Sequence, residues 1–322
     1  MKIIFFGSSE ISASFLEELH KSRHSIKLVV TVADKPAGRG RKIIPNIMKS
    51  KASGLGINFI QIDKFDSIFF DKFKRLNIDA AVVVSFGKIF PEKIFGLAPA
   101  KWLNAHPSLL PQHRGPAPII STLLSGDKAG GVSIIEVIPE VDAGDIYAQV
   151  KFKIEEDDNR DSLEKKSIIF GSSTLIKVLD LIESDGIKPY PQDKKNVSYS
   201  CKIKKEDLRI DWNNSAEEIV NRIRAFSSNP GAYCLLKGLR IKILKARVLE
   251  GPAINTYLPD LKAYKGRKNG FIIKAGKDAG ILVKCNKNEI IRIEILQPQG
   301  KDVMTAVDFI NGYRPGTGDN FE

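Results

Sequence analysis

Asn104 and His106 stand two residues apart at the end of a short apolar run, Trp102 to Ala105. They open the densest chemical signal in the chain: Asn104-Ala105-His106-Pro107-Ser108-Leu109-Leu110-Pro111-Gln112-His113-Arg114-Gly115-Pro116-Ala117-Pro118. An extended backbone puts residues i and i+2 on one face, so the amide and the imidazole point the same way. An Asn side chain donates hydrogen bonds and a His side chain donates or moves a proton. Together they suit an oxyanion forming at a carbonyl. Taken alone, a histidine after a strand is more often structural. A second loop, Glu140-Val141-Asp142-Ala143-Gly144-Asp145, follows a strand-like run, Ile134 to Ile138. Asp142 there reads either as a turn residue or as a base.

Two more loops complete the set. Val82-Val83-Val84 runs into Ser85-Phe86-Gly87-Lys88-Ile89, which reads as the wall of a pocket for a flat ring or as plain core packing. Asp34-Lys35-Pro36-Ala37-Gly38-Arg39-Gly40-Arg41-Lys42 is long, basic and glycine-containing, suited to a phosphate backbone or simply exposed. The first turn, Gly7-Ser8-Ser9-Glu10, lacks the glycine fingerprint of dinucleotide folds, which disfavours such a cofactor.

The elements that must position these loops follow from hydrophobic patterning. Lys2–Phe6, Ile26–Val32 and Ala80–Val84 are apolar runs that read as buried strands, with helical spacing at Ile11, Phe15, Leu16 and Leu19. Alternating strands and helices predict an α/β fold with a parallel sheet, and ligands bind beyond the carboxyl ends of such strands. Arg160 to Ser184 reads as one long amphipathic helix, with Ile168, Leu175, Val178, Leu179 and Ile182 as its apolar stripe. A proline- and lysine-containing stretch follows. After a helical patch at Ala216–Ala225, the short runs Leu239–Leu244, Phe271–Ala275, Ile281–Cys285 and Ile290–Leu296 predict a small antiparallel barrel. The expected division is 1–188 for a catalytic domain, 189–205 for a linker and 206–322 for a basic β-barrel domain.

The 322 residues carry 50 basic and 38 acidic side chains, a net of +12. Residues 201–322 hold 22 basic against 14 acidic, so the smaller part carries most of the excess. Arg240, Lys242, Lys245 and Arg247 occur there with no acidic residue between them and read as one basic face, a nucleic-acid clamp or a solvated surface. Cys201, Cys234 and Cys285 are far apart, and only four histidines exist. No metal-ligand spacing appears, so no metal is expected, and the compartment reads as reducing. The opening apolar run ends at Gly7, too soon for a signal peptide or a membrane span. A cytoplasmic protein without membrane attachment is expected.

Asn-x-His-x-Ser-Leu-Leu-Pro with a later Asp-x-Gly-Asp turn resembles the formyltransferases that use 10-formyltetrahydrofolate. Within them the chain is similar to the branch acting on methionyl initiator tRNA. The Asp34–Gly40 loop is similar to a tRNA-contacting insertion of that branch. Ile223-Arg224-Ala225-Phe226 with Pro230-Gly231-Ala232 is similar to the start of its C-terminal domain, and Leu296–Lys301 with Met304 to the end. The likeness runs along nearly the whole chain.

The resemblance implies a Rossmann-like formyltransferase domain with a parallel-rich sheet and a C-terminal OB-like β-barrel. It implies formyl transfer from 10-formyltetrahydrofolate to the α-amino group of methionyl initiator tRNA, for translation initiation. Carried over residue by residue, the catalytic set is Asn104, His106 and Asp142. Ser108, Leu109, Leu110, Pro111, Phe86, Gly87 and Ile89 would border the folate, and Lys35, Arg39, Arg41 and Lys42 would contact tRNA. A monomer is expected. Three departures stand out: Gly7-Ser8-Ser9 for Gly-Thr-Pro, Ser85-Phe86-Gly87 for Ala-Tyr-Gly, and Gln112-His113 for Arg and an aromatic. His113 does not occupy the motif's catalytic position. The competing readings are a formyltransferase or hydrolase of the same superfamily acting on a non-tRNA substrate, a non-catalytic RNA-binding protein and, more distantly, a dehydrogenase.

Overall fold

The computed structural model describes residues 1–37, 42–96, 101–258, 264 and 266–322. The chain forms two compact units. One comprises Met1–Pro118, Ala129–Lys153 and Leu163–Cys201; the other comprises Ile119–Lys128, Ile154–Ser162 and Lys202–Glu322.

The strands of the first unit are β1 (Lys2–Gly7), β2 (Ser25–Val32), β3 (Lys35–Ala37), β4 (Lys42–Ile44), β5 (Phe59–Ile62), β6 (Ala80–Val84), β7 (Lys101–His106), β8 (Ala129–Glu136) and β9 (Ile146–Lys153). Helices α1 (Glu10–His20), α2 (Ile47–Gly54), α3 (Ser67–Arg75) and, from Leu163 on, α5 (Arg160–Glu183) belong with them, whereas α4 (Pro118–Leu124) lies past Pro118 in the other unit. Seven strands form one sheet in the order β5-β2-β1-β6-β7-β8-β9. The pairings are parallel from β5 to β7 and antiparallel at β8 and β9. β6 is buried at all five positions and β1 at all but its first, as strands covered on both faces must be. Phe6, Phe69, Phe73 and Trp102 stack within one core cluster beside the sheet.

The local signals explain the elements. Ser9 caps α1, and a reciprocal bond from Ser12 completes a capping box. Gly7 makes this turn possible, because a Cβ there would stand 2.5 Å from Ser12 Cβ. Asp34 follows β2, where a dinucleotide fold places its ribose ligand. Here its carboxylate accepts from the Asn46 backbone N–H at 2.9 Å, Lys49 Nζ at 2.9 Å and the Gln61 amide at 2.7 Å. These bonds, the Asn46 backbone first, hold its carboxyl at about 2. That acid is committed to structure at the base of the β3–β4 ribbon. Along α5 the buried residues include Leu175, Val178 and Leu179, while Ile168 and Ile182 are half-buried. The helix also buries small residues: a Cβ on Gly171 would lie 2.8 Å from the Phe15 ring.

The second unit contains α6 (Ala216–Phe226), β10 (Ala232–Leu236), β11 (Leu239–Val248), α7 (Pro252–Tyr257), β12 (Ile272–Gly276), β13 (Gly280–Lys284), β14 (Ile290–Pro298), β15 (Met304–Thr305) and α8 (Ala306–Tyr313). Its antiparallel sheet runs β10-β11-β14-β13-β12, with β15 beside β14. The expected closed barrel is not formed by these ladders: among the described residues no pairing joins β10 to β12. Single bridges from the last residues reach both edges instead, Phe321 to Leu236 and Asn320 to Phe271. Ile241, Ile243, Ile281, Val283, Ile291 and Ile293 alternate inward and, with Phe226 and Phe309, form the core. Ile120 and Leu124, from the 119–128 excursion, pack against it. No described helix is long and apolar enough to cross a membrane.

Candidate active site

Parallel pairing of β1, β6 and β7 brings the loops after Gly7, Val84 and His106 to one edge of the first unit's sheet. Ser8 ties two of them together, its hydroxyl donating to the carbonyls of Ser85 at 2.8 Å and Phe86 at 3.0 Å. Strand alternation puts Asn104 and His106 on one side of β7, and the β8–β9 loop brings Asp142 to them. Asn104 Nδ2 donates to Asp142 Oδ1 at 3.1 Å, and His106 Nδ1 lies 3.5 Å from Asp142 Oδ2. The Gly115 backbone N–H donates to the same Oδ2 at 2.8 Å. The three residues named from sequence therefore meet at one carboxylate.

His106 is 4% exposed. Its Nε2 lies 3.0 Å from the His113 carbonyl oxygen, so this nitrogen carries a proton and donates. His113 thus contributes its main chain to the site, in a left-handed conformation with φ of 59°.

The segment after His106 is held by polar side chains, Ser108 and Ser133 buried and Gln149 exposed. Ser133 Oγ donates to the Ser108 carbonyl at 2.7 Å and accepts from the Leu110 N–H at 3.0 Å. The Gln149 amide donates to the Leu110 carbonyl at 2.8 Å. Ser108 is buried and gives its hydroxyl to the Gln112 carbonyl at 2.7 Å. Leu110 packs with Ile135 and Ile146. Leu109 lies over Gly131, where a Cβ would be 2.3 Å from its Cδ2. Leu109 and Pro111 are half-buried. Phe86 joins the aromatic core, its ring 5.4 Å from Phe6 and 5.6 Å from Phe90. Gly87 turns the loop with φ of 69°, and Ile89 is 82% exposed. Ile138 and Val141 expose apolar side chains on the β8–β9 loop.

Of the basic-loop residues, Arg39 and Arg41 lie outside the described residues. The backbones of Lys35 and Lys42 lie in the antiparallel β3–β4 ribbon. The basic run on β11 is divided: Arg240 stacks on Tyr233 with 3.7 Å from guanidinium to ring centre. Lys245 and Arg247 instead pair with Asp157, at 3.1 and 2.6 Å. Glu294 takes a second contact from each, at 3.8 and 3.2 Å. Among the described residues one possible metal-ligand cluster exists, His24, Asp180 and Glu183, and Arg23 bridges its two carboxylates at 2.5 and 2.7 Å.

Sequence reasoning missed Gln192 and Arg114. Gln192 Nε2 donates to the carbonyls of Asp142 at 2.9 Å and Gly144 at 2.7 Å. Arg114 Nε and Nη2 donate to Gln192 Oε1 at 3.1 and 2.9 Å. The stretch read as a linker is bonded into the first unit: Arg114 exchanges backbone bonds with Ser198 and Ser200. No spacing rule links residue 192 to residue 142.

The chain matches two family models, "Formyl transferase" over residues 1–179 and "Formyl transferase, C-terminal domain" over 202–314. It is 38% identical to the methionyl-tRNA formyltransferase of Sulfurihydrogenibium sp., over 100% of both chains. It is 39% identical to that of Dictyoglomus turgidum, over 100% of this chain and 99% of the relative. Among solved structures it resembles a sugar 3N-formyl transferase, WlaRD, with a TM-score of 0.64 and 19% identity over 94% of this chain and 99% of that one. HypX of Aquifex aeolicus in complex with tetrahydrofolic acid matches with a TM-score of 0.63 and 17% identity, over 98% of this chain and 48% of that one. At these identities the structural likeness is one of fold.

Proposed function

The chain belongs to the methionyl-tRNA formyltransferase family, and on that premise we propose that Asn104, His106 and Asp142 carry formyl transfer from 10-formyltetrahydrofolate to methionyl initiator tRNA. The enzyme formylates the α-amino group of methionyl-tRNA for translation initiation, with a formyl-tetrahydrofolate as donor. One observation carries the residue assignment: an amide, an imidazole and a carboxylate meet within 3.5 Å at the open end of the sheet.

The donor supplies an activated formyl carbonyl. The exposed apolar side chains of Ile89, on the loop after β6, and of Ile138 and Val141, on the loop that carries Asp142, are assigned to its flat ring. Ser108, Leu109, Leu110, Pro111, Phe86 and Gly87 shape the same wall, chiefly through backbone and packing. The acceptor is an α-amino group whose pKa of about 8 is lowered by the neighbouring ester, so neutral amine is available. As that nitrogen bonds to the formyl carbon, charge moves onto the carbonyl oxygen. Asn104 has an amide hydrogen beyond the one given to Asp142 and offers it there. His106, turned from the His113 carbonyl, supplies the second donor. Asp142 keeps the imidazole oriented and takes the amine's proton, which returns to the departing folate nitrogen as the carbon–nitrogen bond breaks. The proton and charge accounting closes on these three side chains.

Residues 202–322 of the second unit are assigned to tRNA, supported by the basic excess of that segment and by the last residues reaching both sheet edges, which favours an OB-type closed shape. Lys35, Arg39, Arg41 and Lys42 are assigned to the same polyanion. An aminoacylated tRNA and a folate place the reaction in the cytoplasm. One chain carries every residue the mechanism uses, so a monomer suffices.

The direct test mixes the protein with 10-formyltetrahydrofolate and methionyl initiator tRNA, with methionyl elongator tRNA and free methionine as controls. Formylation of the initiator alone is expected. Release of tetrahydrofolate without formyl-tRNA would transfer the site to another acceptor or to water. A second measurement addresses the RNA surface. Asp157→Asn should leave Glu294 as the one carboxylate shared by Lys245 and Arg247, tighten RNA binding and steepen the salt dependence by about one unit of log–log slope. An unchanged slope would remove these two cations from the RNA surface.

A further inference from the structure

We propose that Gln192 is a positioning residue for the transfer reaction: its amide, oriented by Arg114, holds the main chain of the loop that presents Asp142. This rests on the role of Asp142 given above and extends it to a residue fifty positions away in sequence.

Asp142 has φ of 52°, in the left-handed region that residues other than glycine enter uncommonly, Asp more readily than most. Two separate restraints hold it there. The carboxylate is fixed by Asn104 and by the Gly115 N–H. The main chain is fixed by Gln192, whose Nε2 donates to the carbonyls on both sides of Ala143, those of Asp142 and Gly144. The orientation of that amide is settled by charge. Its oxygen faces two guanidinium N–H groups of Arg114, and the flipped amide would set its own oxygen against two carbonyl oxygens.

Both side chains are buried, Gln192 at 7% and Arg114 at 6% exposure. Arg114 is anchored in turn: its N–H donates to the Ser198 carbonyl at 2.9 Å, and its carbonyl accepts from Ser200 at 2.7 Å. Its Nη1 also reaches Glu140, at the start of the same loop, at 3.4 Å. The turn at 114–115 therefore grips Asp142 twice, directly through the Gly115 N–H and indirectly through Arg114 and Gln192. Both amide hydrogens of Gln192 are committed to this loop, so Gln192 acts through Asp142 and not on the substrate.

Gln192→Glu separates the two ends of the contact. The carboxylate still accepts from Arg114 but has no hydrogen for the two carbonyls. We expect kcat to fall about ten- to a hundredfold, the loss that a misplacement near 1 Å produces. KM for tRNA and for the folate donor should stay within about twofold. The deciding measurement combines this change with Asp142→Asn. If Gln192 works through Asp142, Gln192→Glu adds no further loss in the Asp142→Asn background. A merely structural role lowers kcat by the same factor in both backgrounds, and that result overturns the proposal. So does a kcat for Gln192→Glu within about twofold of the parent. Parent-like kcat in Asp142→Asn alone would instead overturn the role of Asp142 itself, so the two failures are distinguishable. Circular dichroism and thermal melting accompany each variant. If Gln192→Glu does not fold, the near-isosteric Gln192→Met carries the same cycle.

Discussion

His106→Ala is expected to lower kcat about a hundred- to a thousandfold, the usual cost of losing one donor to a developing oxyanion. The imidazole sits between two fixed partners, the Asp142 carboxylate and the His113 carbonyl, and is nearly inaccessible to solvent. Removing it deletes the donor that Asp142 orients. The His113 carbonyl also loses its partner, costing about 1–3 kcal/mol of stability where such a group stays buried. Asn104→Ala acts alike through Asp142 Oδ1. The measurement is single-turnover formyl transfer with initiator methionyl-tRNA, with the melting temperature followed beside it. Near-parental kcat in folded His106→Ala protein would remove the mechanism.

Gly144→Ala is expected to cost about a hundredfold or more in kcat without touching a reacting group. A Cβ at position 144 would lie 2.0 Å from the Glu136 carbonyl oxygen and 2.8 Å from its carbon. Both are main-chain atoms of a residue held in place: Glu136 N–H donates to the Asp145 carbonyl at 2.9 Å, and Glu136 pairs with Leu103. The loop must therefore move, and Asp142 moves with it. Overpacking of this kind typically costs about 1–3 kcal/mol as well. Gly54→Ala is the control, since a Cβ there meets nothing within 4 Å. Equal kcat in the two variants would show that the β8–β9 loop need not hold this path.

Asn104 and His106 were legible as a pair because period-two alternation in a strand is a local rule: they must share a face whatever the rest of the chain does. The strands Lys2–Gly7, Ser25–Val32 and Ala80–Val84 were legible for a similar reason, since continuous β-branched and aromatic runs signal burial on both faces. Phe59–Ile62 escaped because four residues are too few to show a period. Asp142 was found through the family pattern, its own sequence offering only a turn. Gln192 carried no signal, because its hydrogen-bond partners lie 48 and 50 residues away. The basic run on β11 misled in part. Asp157 neutralises Arg247 from 90 residues away, and irregular pairing around Lys245 breaks the simple alternation.

The short excursions 119–128 and 154–162 have a consequence for how the chain is assembled during synthesis. Ile120 and Leu124 belong to the wall of a core whose other members, on α6 and the strands after it, leave the ribosome much later. Those side chains stay uncovered until the second unit arrives, a non-local closure of the kind that slows folding. A fragment cut at Lys202 has the family's C-terminal sequence and yet lacks part of its own wall. For this reason the second unit is not a module that can be transplanted by its sequence limits alone.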